Sequence, residues 1–286
     1  MKKITFTLIA LVATLCAMAQ TKFWVYSNDG TQTEFLISKV DSISFTEPST
    51  PTEQVTDACG ITYPVVKIGE QYWMAENLKC DKYDTESEAY NATWLTNNTI
   101  PTSESSTYTP YYADASDKSK WNSSFYAGNL TDAQVKKLGY LYNWAAAVGV
   151  ADGYDYGTKP FSGNRQGICP NGWHIPSNAE WQTLEDYIEK IDGKGTDTAG
   201  NHLKTTSGWY SGGNGTDTYG FAALPAGGAG GRSVDGVGDY TDFWTATPIE
   251  NYSNIAYSRY LFYDYDYLSV NNYNKYLGLS VRCLRD

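Results

Sequence analysis

Residues 169–193 read CPNGWHIPSNAEWQTLEDYIEKIDG, and they contain the most complete helix signals in the chain. Ser177 is placed as the N-cap, and Glu180, three residues later, completes a capping box. Apolar residues then recur at helical spacing, and Gly193 is placed to end the helix. These signals predict an amphipathic helix that packs against the core. Its apolar face consists of Trp181, Leu184, Tyr187, Ile188 and Ile191.

A second helix is predicted to begin after Leu130. Thr131 and Gln134 have the spacing of a capping box, and Leu130 and Val135 have the spacing of a hydrophobic staple. The pattern stops after a short stretch, so this helix is brief. Residues 139–148, GYLYNWAAAV, follow as a buried segment whose periodicity fits either a helix or a strand.

Most of the remaining chain reads as short strands and glycine-rich loops. Residues 61–68 and 72–74 form two strand-like runs joined by a turn between them. Residues 221–225, FAALP, predict a short buried strand within the glycine-rich region 193–242. Two helices among many short strands are typical of an α+β fold.

Residues 243–286 alternate strongly between apolar and polar positions, which predicts an antiparallel meander whose last strand contains Cys283. In residues 263–267, YDYDY, the alternation places the tyrosines on one face and the aspartates on the other. Aromatic side chains in such a region are suited to binding a sugar or a protein, and equally to packing on the protein's own loops. The candidate ligand surface consists of Trp244, Tyr257, Tyr260, Tyr263, Tyr265 and Tyr267.

Residues 1–19, MKKITFTLIALVATLCAMA, predict a secretory signal peptide that is cut before Gln20. The apolar run is too short for a comfortable membrane span, so no transmembrane segment is predicted for the mature chain. Cys16 offers a lipoprotein alternative, but Leu15 is large where lipoprotein processing requires a small residue. The sequence therefore predicts an exported protein that is periplasmic, located on the outer surface or secreted.

The mature chain divides into three parts by composition. Residues 20–46 carry two strand-like runs around an Asn-Asp-Gly turn, which predicts a β-hairpin too small to bury a core alone. Residues 47–58 are rich in Pro, Thr and Ser and read as a linker. The main domain is predicted over residues 59–286, with a long polar insertion at 81–129.

The charge balance excludes some partners. The formal net charge of −11 would become −13 on loss of Lys2 and Lys3 with the leader. An excess of scattered acidic residues argues against nucleic acid and against anionic membrane surfaces.

The mature chain has four cysteines, which in an exported protein predict two disulfides with three possible pairings. The turn between residues 61–68 and 72–74 brings the ends of this hairpin together and favours a bond between Cys59 and Cys80. The sequence contains no Cys-x-x-Cys pair, so a zinc or redox site is not expected.

No catalytic motif stands out. His174 lies between two apolar neighbours and reads as a structural histidine, and His202 is the only other one. The sequence contains no nucleophile-elbow motif and no histidine pair at metal spacing, so no cofactor is predicted. Four aspartates are weak calcium candidates, although their glycine and threonine neighbours favour a role in turns. They are Asp217, Asp235, Asp239 and Asp242.

Six blocks of sequence, in this order, closely resemble the Fibrobacter succinogenes major paralogous domain. They are YPVVKIGEQYWMAENL (63–78), GYLYNWAAA (139–147), CPNGWHIPSNAEWQTL (169–184), GTDTYGFAALPAGG (215–228), DFWTAT (242–247) and LSVRCLRD (279–286). The resemblance covers residues 59–286, and the chain departs from the usual pattern at the insertion 81–129.

The resemblance implies a C-type-lectin-like fold, with a mixed, mainly antiparallel sheet, two flanking helices, long glycine-rich loops and neighbouring chain ends. It also implies a disulfide between Cys169 and Cys283. The calcium and sugar motifs of C-type lectins, Glu-Pro-Asn or Gln-Pro-Asp followed by Trp-Asn-Asp, do not occur in the main domain. The related sulfatase-modifying factors use a reactive cysteine pair, and because the cysteines here are assigned to disulfides, that activity does not carry over.

These observations favour an exported, non-enzymatic binding protein whose partner is a glycan or a protein at the cell surface. The alternative is a structural component of a surface appendage, in which residues 21–46 pair with another subunit by strand addition. A third hypothesis is an enzyme that acts on polysaccharide, which requires a pair of carboxylates in one cleft.

Overall fold

The computed structural model describes residues 22–26, 32–36, 53–89, 95, 110–122, 130–151, 161–193 and 197–286. The chain forms two compact units, Met1–Glu47 and Pro48–Asp286. In the first unit, strand β1 (Lys22–Tyr26) pairs antiparallel with strand β2 (Gln32–Leu36). These strands flank the predicted Asn-Asp-Gly turn, which itself lies outside the described residues.

The second unit contains a five-stranded sheet in the order β3-β4-β5-β14-β8. Its strands are β3 (Glu53–Thr56), β4 (Thr62–Ile68), β5 (Gln71–Met74), β8 (Trp173–His174) and β14 (Leu284–Arg285). All neighbouring strands in it are antiparallel. The prediction of a linker over residues 47–58 needs a correction. Residues 53–56 form strand β3, which pairs with β4 at the edge of this sheet.

A separate three-stranded meander consists of β11 (Tyr240–Pro248), β12 (Ile255–Phe262) and β13 (Ser269–Asn274). The predicted meander therefore exists, but Cys283 does not belong to it. Cys283 directly precedes β14, which pairs with β5 and β8 in the other sheet. The YDYDY run at 263–267 forms the loop between β12 and β13 and not a strand.

The remaining four described strands of the second unit form two short antiparallel pairs. β6 (Tyr112–Asp114) pairs with β7 (Tyr140–Tyr142), and β9 (Gly228–Gly230) pairs with β10 (Ser233–Asp235). Residues 221–225 are mostly buried, as predicted, but they do not form a strand. Ala222 has φ of 53°, a left-handed conformation that interrupts extended backbone.

Helix α3 (Asn178–Asp192) agrees with its sequence signals at both ends. Ser177 and Glu180 form the capping box, and Gly193 ends the helix with φ of 65°. The side chains of Trp181, Leu184 and Ile188 are buried, as the apolar spacing predicts. Ile191 was predicted to lie on the same apolar face, but 59% of its surface is exposed. The whole last turn of the helix contains no buried residue.

Three shorter helices bring the number of α-helices in the described residues to four, where two were predicted: α1 (Asp132–Val135), α2 (Trp144–Val148) and α4 (Ala199–Leu203). Helix α1 has the predicted capping box between Thr131 and Gln134. Residues 139–148, whose periodicity fits either a strand or a helix, contain one of each. Strand β7 comes first, and Asn143 then caps helix α2. No helix in this described part of the chain is long and apolar enough to cross a membrane.

The described residues of the insertion 81–129 belong partly to the core. Tyr83, Leu95, Tyr111 and Ala113 are buried, and β6 pairs with β7. The Tyr111 hydroxyl also donates to the carbonyl oxygen of Tyr276 over 2.7 Å. Tyr83 and Tyr111 therefore bury their rings, and their hydroxyls donate to the carbonyl oxygens of Ala146 and Tyr276.

The core is built around tryptophans between the five-stranded sheet, α3 and the meander. The rings of Trp73 and Trp181 lie 4.5 Å apart, and Phe221 and Phe243 pack against them. Disulfides join Cys59 to Cys80 and Cys169 to Cys283, the predicted pairings. The second bond links the segment before α3 to the residue that precedes the last strand.

Candidate binding site

The two faces of the meander have different roles. On one face, the Arg259 guanidinium lies 2.8 Å from the Glu185 carboxylate of α3 and donates to Asn178, so this face is covered by the helix. Because side chains alternate along a strand, the opposite face carries Asp242, which is paired in register with Tyr260. That opposite face is the one that borders a cleft.

Asp242 is a fully buried carboxyl group on this face. The Ser258 hydroxyl donates to its Oδ1 over 3.0 Å, but among the described residues its Oδ2 has no hydrogen-bond partner. Burial raises the pKa of the Asp242 carboxyl well above its usual range, and the hydroxyls of Ser258 and Tyr273 offset only part of that shift. Burial therefore favours the neutral form of this carboxyl group.

The space beside Asp242 is a cleft of about 280 Å³, which we call the Asp242 cleft. It lies between the meander, the β9–β10 pair and the segment after β13. Its lining residues are Gly228, Ala229, Gly230, Gly231, Asp235, Tyr240, Asp242, Tyr273, Tyr276, Leu277 and Leu279. These residues of the described chain supply two carboxyl groups, three tyrosines and no lysine or arginine.

Two glycines allow the β9–β10 region to close on the cleft. A Cβ atom at Gly236, which has φ of 68°, would lie 1.9 Å from the Tyr240 ring. At Gly230, a Cβ atom would lie 2.7 Å from the end of the Leu277 side chain. The glycine-rich sequence here therefore allows close approach of backbone to aromatic and apolar side chains.

A chain of aromatic rings leads out of the cleft along the meander. It runs from Tyr240 to Tyr260, Phe262, Tyr265 and Tyr267, and the successive ring centroids lie 5.8, 5.9, 5.1 and 4.7 Å apart. We call these five residues the aromatic chain. Tyr265 is 39% exposed and the other four are partly exposed, so ring surface is available to a ligand.

A buried lysine binds the backbone of residues 263–267, which we call the tyrosine loop. The Lys204 ammonium donates to the carbonyl oxygens of Phe262, Tyr263 and Tyr265 over 3.2, 3.3 and 2.8 Å. The backbone N–H of Asn201 donates to the carbonyl oxygen of Asp266 over 2.8 Å. These bonds fix the loop backbone before any ligand arrives, which reduces the entropy lost on binding.

The structure separates the predicted aromatic residues into two groups. Tyr260, Tyr265 and Tyr267 belong to the aromatic chain, and the Tyr263 ring lies 4.4 Å from that of Phe262. Trp244 does not contribute surface: it is fully buried, and its indole N–H donates to the carbonyl oxygen of Tyr142. Tyr257 points to the other face of the meander, because it is three positions from Tyr260 on the same strand.

Sequence reasoning missed Tyr240, Phe262 and Lys204. Phe262 could have been found, since it follows Tyr260 by two positions and so shares its face. Tyr240 reaches the chain only through pairing of β11 with β12, and Lys204 is distant in sequence from the loop it anchors. Neither leaves a local signal.

The four predicted calcium candidates do not meet in one place. Asp235 and Asp242 line the cleft, whereas the Asp217 carboxylate accepts from the Ala222 N–H over 2.8 Å in a separate turn. Burial raises the pKa of Asp217 to about 6. One oxygen of Asp239 is buried without a hydrogen-bond partner in the described chain, and burial raises the pKa of this carboxyl.

Another set of residues has metal-ligand chemistry but belongs to a disulfide. Within the part of the chain that the structure describes, one group of three such side chains has ligand atoms within 4.8 Å of one another: Asp57, Cys59 and Cys80. Because the two sulfur atoms are bonded to each other, they offer no thiolate to a metal.

His174 is buried and lies between two carboxyl groups. Its Nδ1 lies 2.6 Å from an oxygen of Asp286, and its Nε2 lies 3.0 Å from Glu180, the capping residue of α3. Burial lowers the pKa of His174, but the two carboxylates outweigh this effect and the net pKa is raised. His202 pairs elsewhere, with the Thr218 hydroxyl at 2.8 Å.

The fold and site define a mixed α+β domain with mostly antiparallel strands, two disulfides and an aromatic chain that ends in a carboxyl-lined cleft. The family model of the Fibrobacter succinogenes major domain matches residues 66–285, and the chain belongs to this family. No curated protein and no solved structure matches the chain.

Proposed function

We propose that the protein is an exported, non-enzymatic binding protein that holds a glycan along the aromatic chain. The observation that carries this proposal is the anchored row of five rings that begins inside the Asp242 cleft and ends at the exposed tyrosine loop. Tyrosine rings offer an apolar face to the C–H groups of a sugar and a hydroxyl at their edge. Sites that combine such surfaces with a few polar groups are typical of small-molecule recognition.

Binding is favoured over catalysis by the size of the cleft. A polysaccharide-cleaving enzyme needs two carboxyl groups on either side of the bond that breaks. Asp235 and Asp242 both line the cleft, but its volume of about 280 Å³ is at the lower limit of about 300 Å³ for small-molecule sites. A site of this size suits one part of a glycan, and the aromatic chain outside it suits the rest.

The proposal includes the C-type-lectin-like arrangement that the family resemblance implies. It is supported by the position of β14 inside the five-stranded sheet, near the start of the domain, and by the Cys169–Cys283 bond. Export is supported by the leader sequence at 1–19, and the disulfides are compatible with an oxidising compartment.

A role in assembly is the second candidate, and the β1–β2 pair favours it. In the described residues this pair is a sheet of two strands that forms no ladder with another strand. A two-stranded hairpin is marginally stable alone, and strand addition from another subunit would complete it.

A glycan-array screen of residues 20–286, with and without calcium, tests the main proposal. We expect specific hits that are lost in Tyr265→Ala and kept in Tyr252→Ala. Tyr252 is 57% exposed and lies outside the aromatic chain, so it is a matched control for loss of an exposed tyrosine. A blank array from folded protein would contradict glycan binding and favour a protein partner.

A further inference from the structure

The Asp242 cleft contains a buried acid that lacks a counter-charge. Oδ2 of Asp242 is buried and accepts no hydrogen bond within the described chain, although the residue lines the cleft and the Tyr273 hydroxyl lies nearby. Two other buried ionisable groups have counter-charges: Arg259 lies against Glu185, and His174 lies between Glu180 and Asp286. A buried carboxyl group with an unsatisfied oxygen is costly in free energy, so its position in the wall of a cleft points to a ligand.

We propose that the Asp242 cleft binds a primary ammonium group, carried by an amino-sugar unit of the glycan that lies on the aromatic chain. This inference rests on the proposed function for its sugar part. The cleft itself supplies the specificity for the amine, because its lining in the described chain has carboxyl groups and aromatic rings but no cationic side chain.

The lining suits an organic cation better than the other charged ligands. Asp235 and Asp242 would repel an anion as soon as either is ionised. Calcium takes six to eight oxygen ligands, whereas much of this lining is tyrosine ring and leucine. An ammonium group gains from both parts of the site, through a carboxylate and through the faces of Tyr240, Tyr273 and Tyr276.

When the ammonium group binds, it replaces the proton on the Asp242 carboxyl group. Burial raises the pKa of the Asp242 carboxyl, so the free protein holds this proton more readily than an exposed aspartate does. As the ammonium enters, the carboxyl proton leaves for the solvent, and the resulting carboxylate accepts a hydrogen bond from the ligand. No covalent bond of the ligand changes.

The titratable groups around Asp242 determine how affinity depends on pH. They are Asp235 from β10, Asp239 and Tyr240 at the start of β11, Tyr260 from β12, and Tyr273 and Tyr276 from β13 and the segment after it. Burial raises the pKa of Tyr273 to about 12 and also raises the pKa of Tyr240 and Tyr260, so these three remain neutral. Affinity for the amine should therefore rise with pH until the ligand itself loses its proton.

Isothermal titration calorimetry with three oligosaccharides of equal length tests the inference. They are a glucosamine oligomer, its N-acetylated form and a glucose oligomer. We expect the glucosamine oligomer to bind at least about tenfold more tightly than the other two near pH 6. Titration in two buffers of different ionisation enthalpy should show more proton release with the glucosamine oligomer than with the other two.

Two variants keep the test falsifiable if one of them folds poorly. Asp242→Asn should remove the preference for the glucosamine oligomer over the glucose oligomer and the excess proton release that accompanies it. Gly230→Ala should reduce the same preference, because its methyl group meets only the flexible end of Leu277 and narrows the cleft. Tyr265→Ala, in contrast, should lower the affinity for all three oligosaccharides.

The outcomes separate this inference from the proposed function. Equal affinity for all three oligosaccharides would overturn the ammonium site and leave glycan binding intact. Absence of binding to all three, together with a blank array, would overturn both. Calcium binding that is lost in Asp242→Asn would also overturn the inference, because it would assign the cleft to a metal.

Discussion

The ammonium of Lys204 donates to the carbonyl oxygen of Tyr265 over 2.8 Å, so a buried charge supports the most exposed ring of the aromatic chain. Burial lowers the pKa of Lys204, and the nearby carboxylates of Asp266 and Asp264 oppose this effect. The loop geometry thus depends on a residue that does not touch the proposed ligand.

Replacement of Lys204 by methionine should loosen the tyrosine loop. The change removes hydrogen bonds to three carbonyl oxygens, and we expect a loss of about 1–3 kcal/mol in the free energy of unfolding. Hydrogen exchange at residues 263–267 should become faster, and glycan affinity should fall. Lys136→Met, at an exposed position, is the control. Unchanged exchange in Lys204→Met would show that the loop is held by other contacts.

Replacement of Glu185 by glutamine should destabilise the domain strongly. Arg259 is fully buried and lies 2.8 Å from Glu185, so the variant leaves a buried guanidinium without its counter-charge. The expected cost is about 3–5 kcal/mol, measured by urea unfolding. The exposed Glu250→Gln is the control. A cost below about 1 kcal/mol would mean that Asn178 and Gln182 alone satisfy Arg259.

His174 should make stability depend on pH near neutrality. Its pKa in the folded protein is raised above 6.5, because the carboxylates of Glu180 and Asp286 outweigh the effect of burial. The stabilisation is therefore fully present below about pH 6.5 and is lost as pH rises through the folded pKa. Urea unfolding of wild type and His174→Gln should show a difference that shrinks with rising pH. A difference that grows with pH would contradict this assignment.

The two disulfides should contribute unequally. The Cys169–Cys283 bond spans 114 residues and the Cys59–Cys80 bond spans 21. On the chain-entropy model, the first stabilises by about 4.7 kcal/mol and the second by about 3 kcal/mol. Double replacement by serine should therefore lower the thermal midpoint more at 169 and 283 than at 59 and 80. The reverse order would show that native-state effects exceed the entropy of loop closure.

Helices α1 and α3 follow from the sequence because their capping signals are local. Ser177, Glu180 and Gly193 determine both ends of α3 within a few positions, and the structure contains all three caps. The Cys169–Cys283 pairing could be expected only from the family, because a contact across that separation leaves no local pattern. The class of fold could be predicted, whereas the position of β14 between β5 and β8 could not.

The binding surface was harder to predict because alternation does not distinguish strands from turns or exposed faces from buried ones. The YDYDY run alternates like a strand, yet it forms a loop because Lys204 and Asn201 bind its backbone. Trp244 has the spacing of a surface residue on the face of Asp242, but residues distant in sequence cover it. Long-range packing decided both cases.

The most direct test of the central claim resolves individual tyrosine rings. In the protein labelled with ¹³C in its tyrosine rings, we predict that titration with a glycan from the array shifts the NMR signals of Tyr240, Tyr265 and Tyr267 along one saturation curve. The signal of Tyr252 should remain in place. Saturable shifts at Tyr252, with no change in the three rings of the aromatic chain, would contradict the proposed site.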